Sequence, residues 1–113
     1  MLRIYHNTRC KKSREGLEIL ENSGKDFEIR EYLKEPLSES ELEKLINKLE
    51  ITPIQLVRKN EKIWKEDYKD KDLSDKELIT VMVKHPKLIE RPVVEKDDKA
   101  VIGRPPSDIE KML

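Results

Sequence analysis

A single cysteine, Cys10, stands among Arg9, Lys11, Lys12 and Arg14, a neighbourhood in which a thiol can lose its proton near neutral pH and act as a nucleophile. Nearby positive charge favours thiolate over thiol. The start of a helix does the same, because unpaired backbone N–H groups point outward there. His6 precedes the cysteine by four residues and is placed either to hydrogen-bond into the intervening turn or to tune the thiol. Arg58, Arg91 and Arg104 each fall at the end of a segment, where functional loops emerge. A planar guanidinium fits the edge of a tetrahedral oxyanion with two parallel hydrogen bonds, and three converging would offset a doubly charged substrate. Taken singly, each arginine is better read as a member of a surface ion pair. One histidine and one cysteine near each other do not reach the three or four ligands of a zinc site. The chemistry these residue types can support is attack by sulfur on an anion held by arginines.

Such groups need elements to position them. Leu2-Arg3-Ile4-Tyr5-His6 alternates apolar and polar residues and reads as a first strand, with Asn7-Thr8-Arg9 as the turn after it. A helix is predicted over residues 11 to 22, stopped by Gly24, which puts Cys10 at its N-terminus. Phe27, Ile29 and Tyr32 restore a two-residue alternation and give a second strand, parallel to the first by the handedness of the β-α-β unit. Ser38 and Ser74 open helices with capping boxes completed by Glu41 and Glu77, the first carrying Leu42, Leu45, Ile46 and Leu49 inward and the second Leu78, Ile79, Met82 and Val83. Pro53 to about Arg58 reads as a short helix, and the span from 36 to 85 holds no strong strand. Leu88 to Val94 reads as a strand interrupted by Pro92, joined through Asp97-Asp98 to a partner at Ala100-Val101-Ile102 in an antiparallel hairpin. Residues 107 to 113 read as a terminal helix. His85, next to Pro86, reads as a surface or helix-ending residue. The order β-α-β, helices, β-β-α is an α/β layout of thioredoxin-like type: a mixed sheet with an inserted helical layer at about 36–85.

At 113 residues the chain is sized for one domain with one core. Lys plus Arg and Asp plus Glu number 24 each, so the overall field draws in neither nucleic acid nor anionic lipid, and an anion site must be built locally. Charged residues at 42%, with Val, Ile and Leu in short periodic groups, describe a folded domain with a charged surface. No apolar run suits a signal peptide or a membrane span. With one thiol and no possible internal disulfide, the expected location is the cytoplasm.

Several segments together carry a resemblance: Ile4-Tyr5-His6-Asn7-Thr8-Arg9-Cys10, Ser13-Arg14, Leu33-Lys34-Glu35-Pro36, Leu56-Val57-Arg58-Lys59-Asn60, His85 through Val94, and Gly103-Arg104-Pro105-Pro106. Along nearly its whole length the chain resembles the ArsC family of arsenate reductases. The resemblance implies that Cys10 is the nucleophile, that Arg58, Arg91 and Arg104 bind and stabilise the oxyanion, and that His6 supports the cysteine. It also implies a cis bond before Pro92, against the base rate of about 5% for X–Pro bonds. With no second cysteine in the chain, a thiol–arsenate adduct on Cys10 cannot be resolved internally. An external thiol is required, expected to be glutathione followed by a glutaredoxin, with no bound cofactor and a monomeric enzyme.

Two departures bear on the anion cradle. Thr8 stands where proline is common in the family, and Lys11-Lys12 stand where small residues are usual. The family's motif extends to Spx-like regulators that bind RNA polymerase. Their familiar Cys-x-x-Cys switch is absent, because the fourth position is Ser13. An adaptor of that kind, or a thiol transferase acting on another small substrate, is the alternative to an arsenate reductase.

Overall fold

In the computed structural model, which describes residues 2–113, the N-terminal alternation forms strand β1 (Leu2–Tyr5) and the amphipathic segment after Cys10 forms α1 (Lys11–Asn22). Gly24 takes a φ of 74° beyond the helix end, a left-handed conformation open to glycine at little cost. Strand β2 (Phe27–Arg30) follows, then α2 (Glu39–Leu49), α3 (Pro53–Leu56), a π-helical turn at Trp64–Tyr68, α4 (Asp75–Lys84), a 3-10 turn at Pro86–Leu88, β3 (Val93–Lys96), β4 (Lys99–Ile102) and α5 (Ser107–Glu110). The chain divides into two compact units, one running from the N-terminus through Glu35 together with Arg91–Leu113, the other Pro36–Glu90.

The first unit holds a four-stranded sheet in the order β2-β1-β3-β4. Strand β1 lies parallel to β2, Ile4 opposite Ile29, and antiparallel to β3, Ile4 opposite Val94; β3 and β4 form an antiparallel hairpin. This is the expected thioredoxin-like mixed sheet. On one face Leu2, Ile4 and Val94 bury against Leu20 of α1 and Ile109 of α5. On the other, Arg3 reaches Glu28 at 3.1 Å and Glu95 at 3.7 Å, tying three strands together. Because β2 is an edge strand, Ile29 stays 50% exposed despite its alternation, while Tyr32, placed in that strand by the sequence pattern, lies beyond its end and is buried.

In the second unit both capping boxes form: Ser38 Oγ accepts from the Glu41 N–H at 3.1 Å and Ser74 Oγ from that of Glu77 at 3.2 Å. They orient α2 and α4 so that Leu42, Leu45, Ile46, Leu78 and Met82 bury. Ile79, Val83 and Leu49 are only partly covered. A hydrogen bond from Thr80 Oγ1 to Glu39 links the two helices.

Three sequence expectations are corrected. The strand anticipated from Leu88 begins only at Val93, because Pro86 starts a 3-10 turn that takes in Leu88. Helix α3 stops at Leu56, and Val57 instead forms an isolated antiparallel bridge with Ile89 in the span read as free of strand. The π-helical turn has no counterpart in the sequence reading; Tyr68 there stacks with Trp64 and shares a hydrogen bond with His85 Nε2 at 3.2 Å, while His85 ends α4 as its C-cap, as the sequence reading had it, and is half-buried.

Candidate active site

Cys10 occupies the N-cap position of α1 in an extended conformation, with its side chain partly exposed. The loop that delivers it is held by its own groups. Asn7 Oδ1 accepts from the Arg9 N–H at 3.0 Å, and the Asn7 carbonyl accepts from the Cys10 N–H at 3.1 Å. Unlike α2 and α4, α1 has neither a side-chain cap nor an acidic residue in its first turn, so the positive end of the helix acts on the sulfur alone. Burial of the thiol pushes its pKa up. The N–H groups of Ser13 and Lys12 and the hydrogen bond and charge of Arg91 act the other way and prevail, leaving Cys10 below its ordinary value.

Two arginines meet this sulfur. Arg104 places Nη2 at 3.7 Å from Cys10 Sγ, and its Nε donates to the Arg91 carbonyl at 2.7 Å. Arg91 is itself 8% exposed, with its guanidinium directed at Cys10. The bonds before Pro92 and Pro105, each following one of these arginines, are both cis. Arg58 belongs to the second unit. There its N–H donates to the Leu88 carbonyl at 2.7 Å, and its guanidinium lies 3.5 Å from both Glu61 and Glu90. The sheet unit therefore brings together Cys10, Arg91 and Arg104, while Arg58 sits among carboxylates in the helical unit.

His6 is buried, and its Nδ1 lies 2.6 Å from Ser13 Oγ, which also accepts from the Asn7 N–H at 2.9 Å. Burial lowers the pKa of His6, and the charge of Arg14 adds to this against the opposing charge of Glu31. The ring is neutral at pH 7, and its contact with the cysteine loop runs through Ser13 rather than to the sulfur. Sequence reasoning took Ser13 as part of the family pattern and as a missing second thiol, not as the partner of His6. The signal that could have found it is its place three residues after Cys10, on the same face of the first turn.

Gly16 and Gly103 were also missed as site determinants. A Cβ at Gly16 would fall 2.8 Å from Pro92 Cγ and 2.9 Å from Ile109 Cδ1, and one at Gly103 would fall 2.7 Å from Ile109 Cδ1 and 2.9 Å from Pro92 Cγ. The two glycines let α1 and the end of β4 close on Pro92, which fixes the backbone next to Arg91. Together these groups present a thiol disposed to ionise, beside two guanidinium groups, which suits nucleophilic attack on a bound oxyanion. Among the described residues no cluster of His, Cys, Asp or Glu is arranged to hold a metal ion, and no helix is long and apolar enough to cross a membrane.

Comparison with known proteins places these features in context. The sequence model of the ArsC family matches residues 5–112. A protein of Haemophilus influenzae named arsenate reductase is 43% identical over 112 residues, covering 97% of each chain. The uncharacterized protein YfgD of Escherichia coli K12 is 42% identical over 110 residues, covering 96% of this chain and 92% of its own. The solved structure of an arsenate reductase from Vibrio cholerae superposes with a TM-score of 0.93 at 40% identity, covering 99% of this chain and 97% of that one.

Proposed function

The chain belongs to the ArsC family, and from that premise we propose that it is an arsenate reductase, converting arsenate to arsenite with Cys10 as the attacking thiolate. The observation that carries this reading is the convergence of Arg104 Nη2, 3.7 Å from the sulfur, and the Arg91 guanidinium on Cys10. Relatives of matching length bear the name arsenate reductase.

In the proposed sequence the thiolate adds to arsenic while Arg91 and Arg104 hold the arsenate oxygens. One oxygen leaves as water and a sulfur–arsenic(V) bond remains. Positive charge fixed beside the developing anion lowers the barrier without reorganising during the step. Arg58 acts as a third substrate-binding arginine, and His6 acts as a positioning residue through Ser13. Reduction of arsenic(V) to arsenic(III) takes two electrons. The chain has one cysteine, so two external thiols become a disulfide and give up their protons, the sulfur–arsenic bond breaks, arsenite leaves with the three remaining oxygens, and Cys10 returns as thiol. We assign those thiols to glutathione and a glutaredoxin, with glutathione entering as a co-substrate, no resident cofactor, and a monomer working in the reducing cytoplasm. The adaptor reading calls for an apolar docking patch of several hundred Å². The large apolar side chains left exposed among the described residues are Ile29 and Leu33, which do not favour it.

The test is arsenite production by the purified chain with arsenate, glutathione and glutaredoxin, coupled to glutathione reductase. Turnover that depends on all three supports the assignment. Absence of turnover with several glutaredoxins overturns it.

A further inference from the structure

Four cationic residues form a rim around Cys10 in the sequence, Arg9 before it and Lys11, Lys12 and Arg14 after it, beside a thiol that is itself partly exposed. Arg9, Lys11, Lys12 and Arg14 are all exposed. Of these, Lys12 has a carboxylate partner, Glu15 at 3.7 Å, and Arg14 donates to the Thr8 carbonyl at 3.1 Å. Arg9 and Lys11 form no ion pair with any described residue. Two of the four lysine and arginine side chains sit in the first turn of α1, the end at which the helix dipole repels cations. Arg91 and Arg104 already supply the charge at the sulfur itself, which leaves Arg9 and Lys11, and Lys12 beyond its exposed pair with Glu15, to act on whatever reaches the sulfur from solvent.

We propose that Arg9, Lys11 and Lys12 are specificity-determining residues for the external thiol, selecting reactants that carry negative charge close to their sulfur over neutral or cationic ones. The inference rests on Cys10 being the thiol that an external thiol serves. A carboxylate-bearing thiol or disulfide is drawn in by the rim, and a cationic one is repelled. Thiol–disulfide exchange at Cys10 reads the same approach of a second sulfur: the Cys10 thiolate attacks one sulfur of a disulfide, a new sulfur–sulfur bond forms, and the other half departs as thiolate with the bonding pair. Charge near either sulfur is therefore felt in the rate.

The experiment measures Cys10 exchange without arsenate, so its outcome is independent of whether arsenate is the substrate. Second-order rates are taken for the wild type and the Lys11→Gln/Lys12→Gln double variant with dianionic 5,5′-dithiobis(2-nitrobenzoate) and with neutral 4,4′-dithiodipyridine. The changes are confined to exposed positions, and far-UV circular dichroism checks the fold. The variant should slow the dianionic reagent roughly 5- to 10-fold at about 0.01 M ionic strength and about 2-fold at 0.15 M, as screening shortens the reach of the charges. The neutral reagent should change by less than about 2-fold, since it has no net charge for the rim to act on. Equal slowing of both reagents would overturn the proposal, because the lysines would then be acting on the thiol rather than on its partner. No slowing of either would overturn it as well. An enzyme that shows this selectivity but no arsenate turnover would cost the arsenate assignment alone.

Discussion

Ser13 joins the two halves of the Cys10 site: its hydroxyl lies 2.6 Å from His6 Nδ1, while its backbone N–H favours the ionised sulfur three residues earlier. Replacing Ser13 by alanine keeps the backbone donor but strips the partner from a buried imidazole nitrogen and from the Asn7 N–H. We expect a loss of roughly 1 to 3 kcal/mol, the cost of leaving buried polar groups unpaired, read as a lower denaturant midpoint at unchanged m-value. A wild-type midpoint would mean that the hydroxyl holds nothing in place.

The same burial sets a pH dependence. His6 has a lowered folded pKa against an ordinary value of 6.5, so below that value the unfolded chain takes up a proton that the folded chain resists. Stability should fall as pH drops from about 6.5, the direction required when the unfolded state binds more protons. His6→Gln should flatten that limb of the stability–pH curve. An unchanged slope would assign the loss to other groups.

For Cys10 the window lies at higher pH. Its folded pKa is lowered, so between that value and the unfolded one near 8.5 the unfolded chain again holds the extra proton, and stability rises with pH. The rate of alkylation by iodoacetamide should inflect below about 8.5, and Arg91→Ala should move the inflection upward by removing a hydrogen bond and a charge. A wild-type inflection at or above the free-thiol value would remove the basis for a nucleophile.

Substitutions at the sulfur and at the arginines should differ in kind. Cys10→Ser should abolish arsenate reduction while sparing the fold, because serine is a far poorer nucleophile near neutral pH. Arg91→Lys and Arg104→Lys keep charge but lose the fork, and the loss of a charge-assisted contact worth roughly 1.5 to 3 kcal/mol should lower kcat/KM about 10- to 100-fold. Arg58→Lys should do the same if that residue reaches substrate. A variant that melts early with kcat/KM intact would instead limit Arg58 to its pairs with Glu61 and Glu90. Thermal melts accompany each assay.

Gly16→Ala sets two effects against each other. Alanine in a helix interior gains about 1 kcal/mol over glycine, but the new methyl would press on Pro92 and Ile109 at under 3.0 Å, and overpacking of this kind costs typically about 1 to 3 kcal/mol. The crowded atoms belong to a ring and to a fully buried isoleucine, so the variant should be net destabilised. A raised melting temperature would show that the neighbours yield.

The sequence disclosed most where one period ran undisturbed. Helix α1, the two capped helices and the β3–β4 hairpin have local patterns that tertiary packing only confirms. It disclosed least where the deciding atoms come from afar. Ile89 was read as extended, but its partner is Val57 of the helical span rather than a sheet strand, and the interruption at Pro92 proved to be the boundary after which β3 begins at Val93. Cys10, Arg91 and Arg104 were legible as chemistry by residue type and family pattern. Ser13, Gly16 and Gly103 were not, because a hydroxyl or a missing side chain gains its meaning from what lies opposite it.

The hydrogen bond from Arg104 Nε to the Arg91 carbonyl has a thermodynamic corollary. A free arginine carries about 2 kcal/mol of rotamer entropy, to be surrendered when it grips a ligand. Here one edge of the guanidinium is already tethered by a neighbouring peptide, and only the terminal nitrogens stay available. The anion meets a fixed edge, and much of the ordering that binding would otherwise demand was completed when the chain folded.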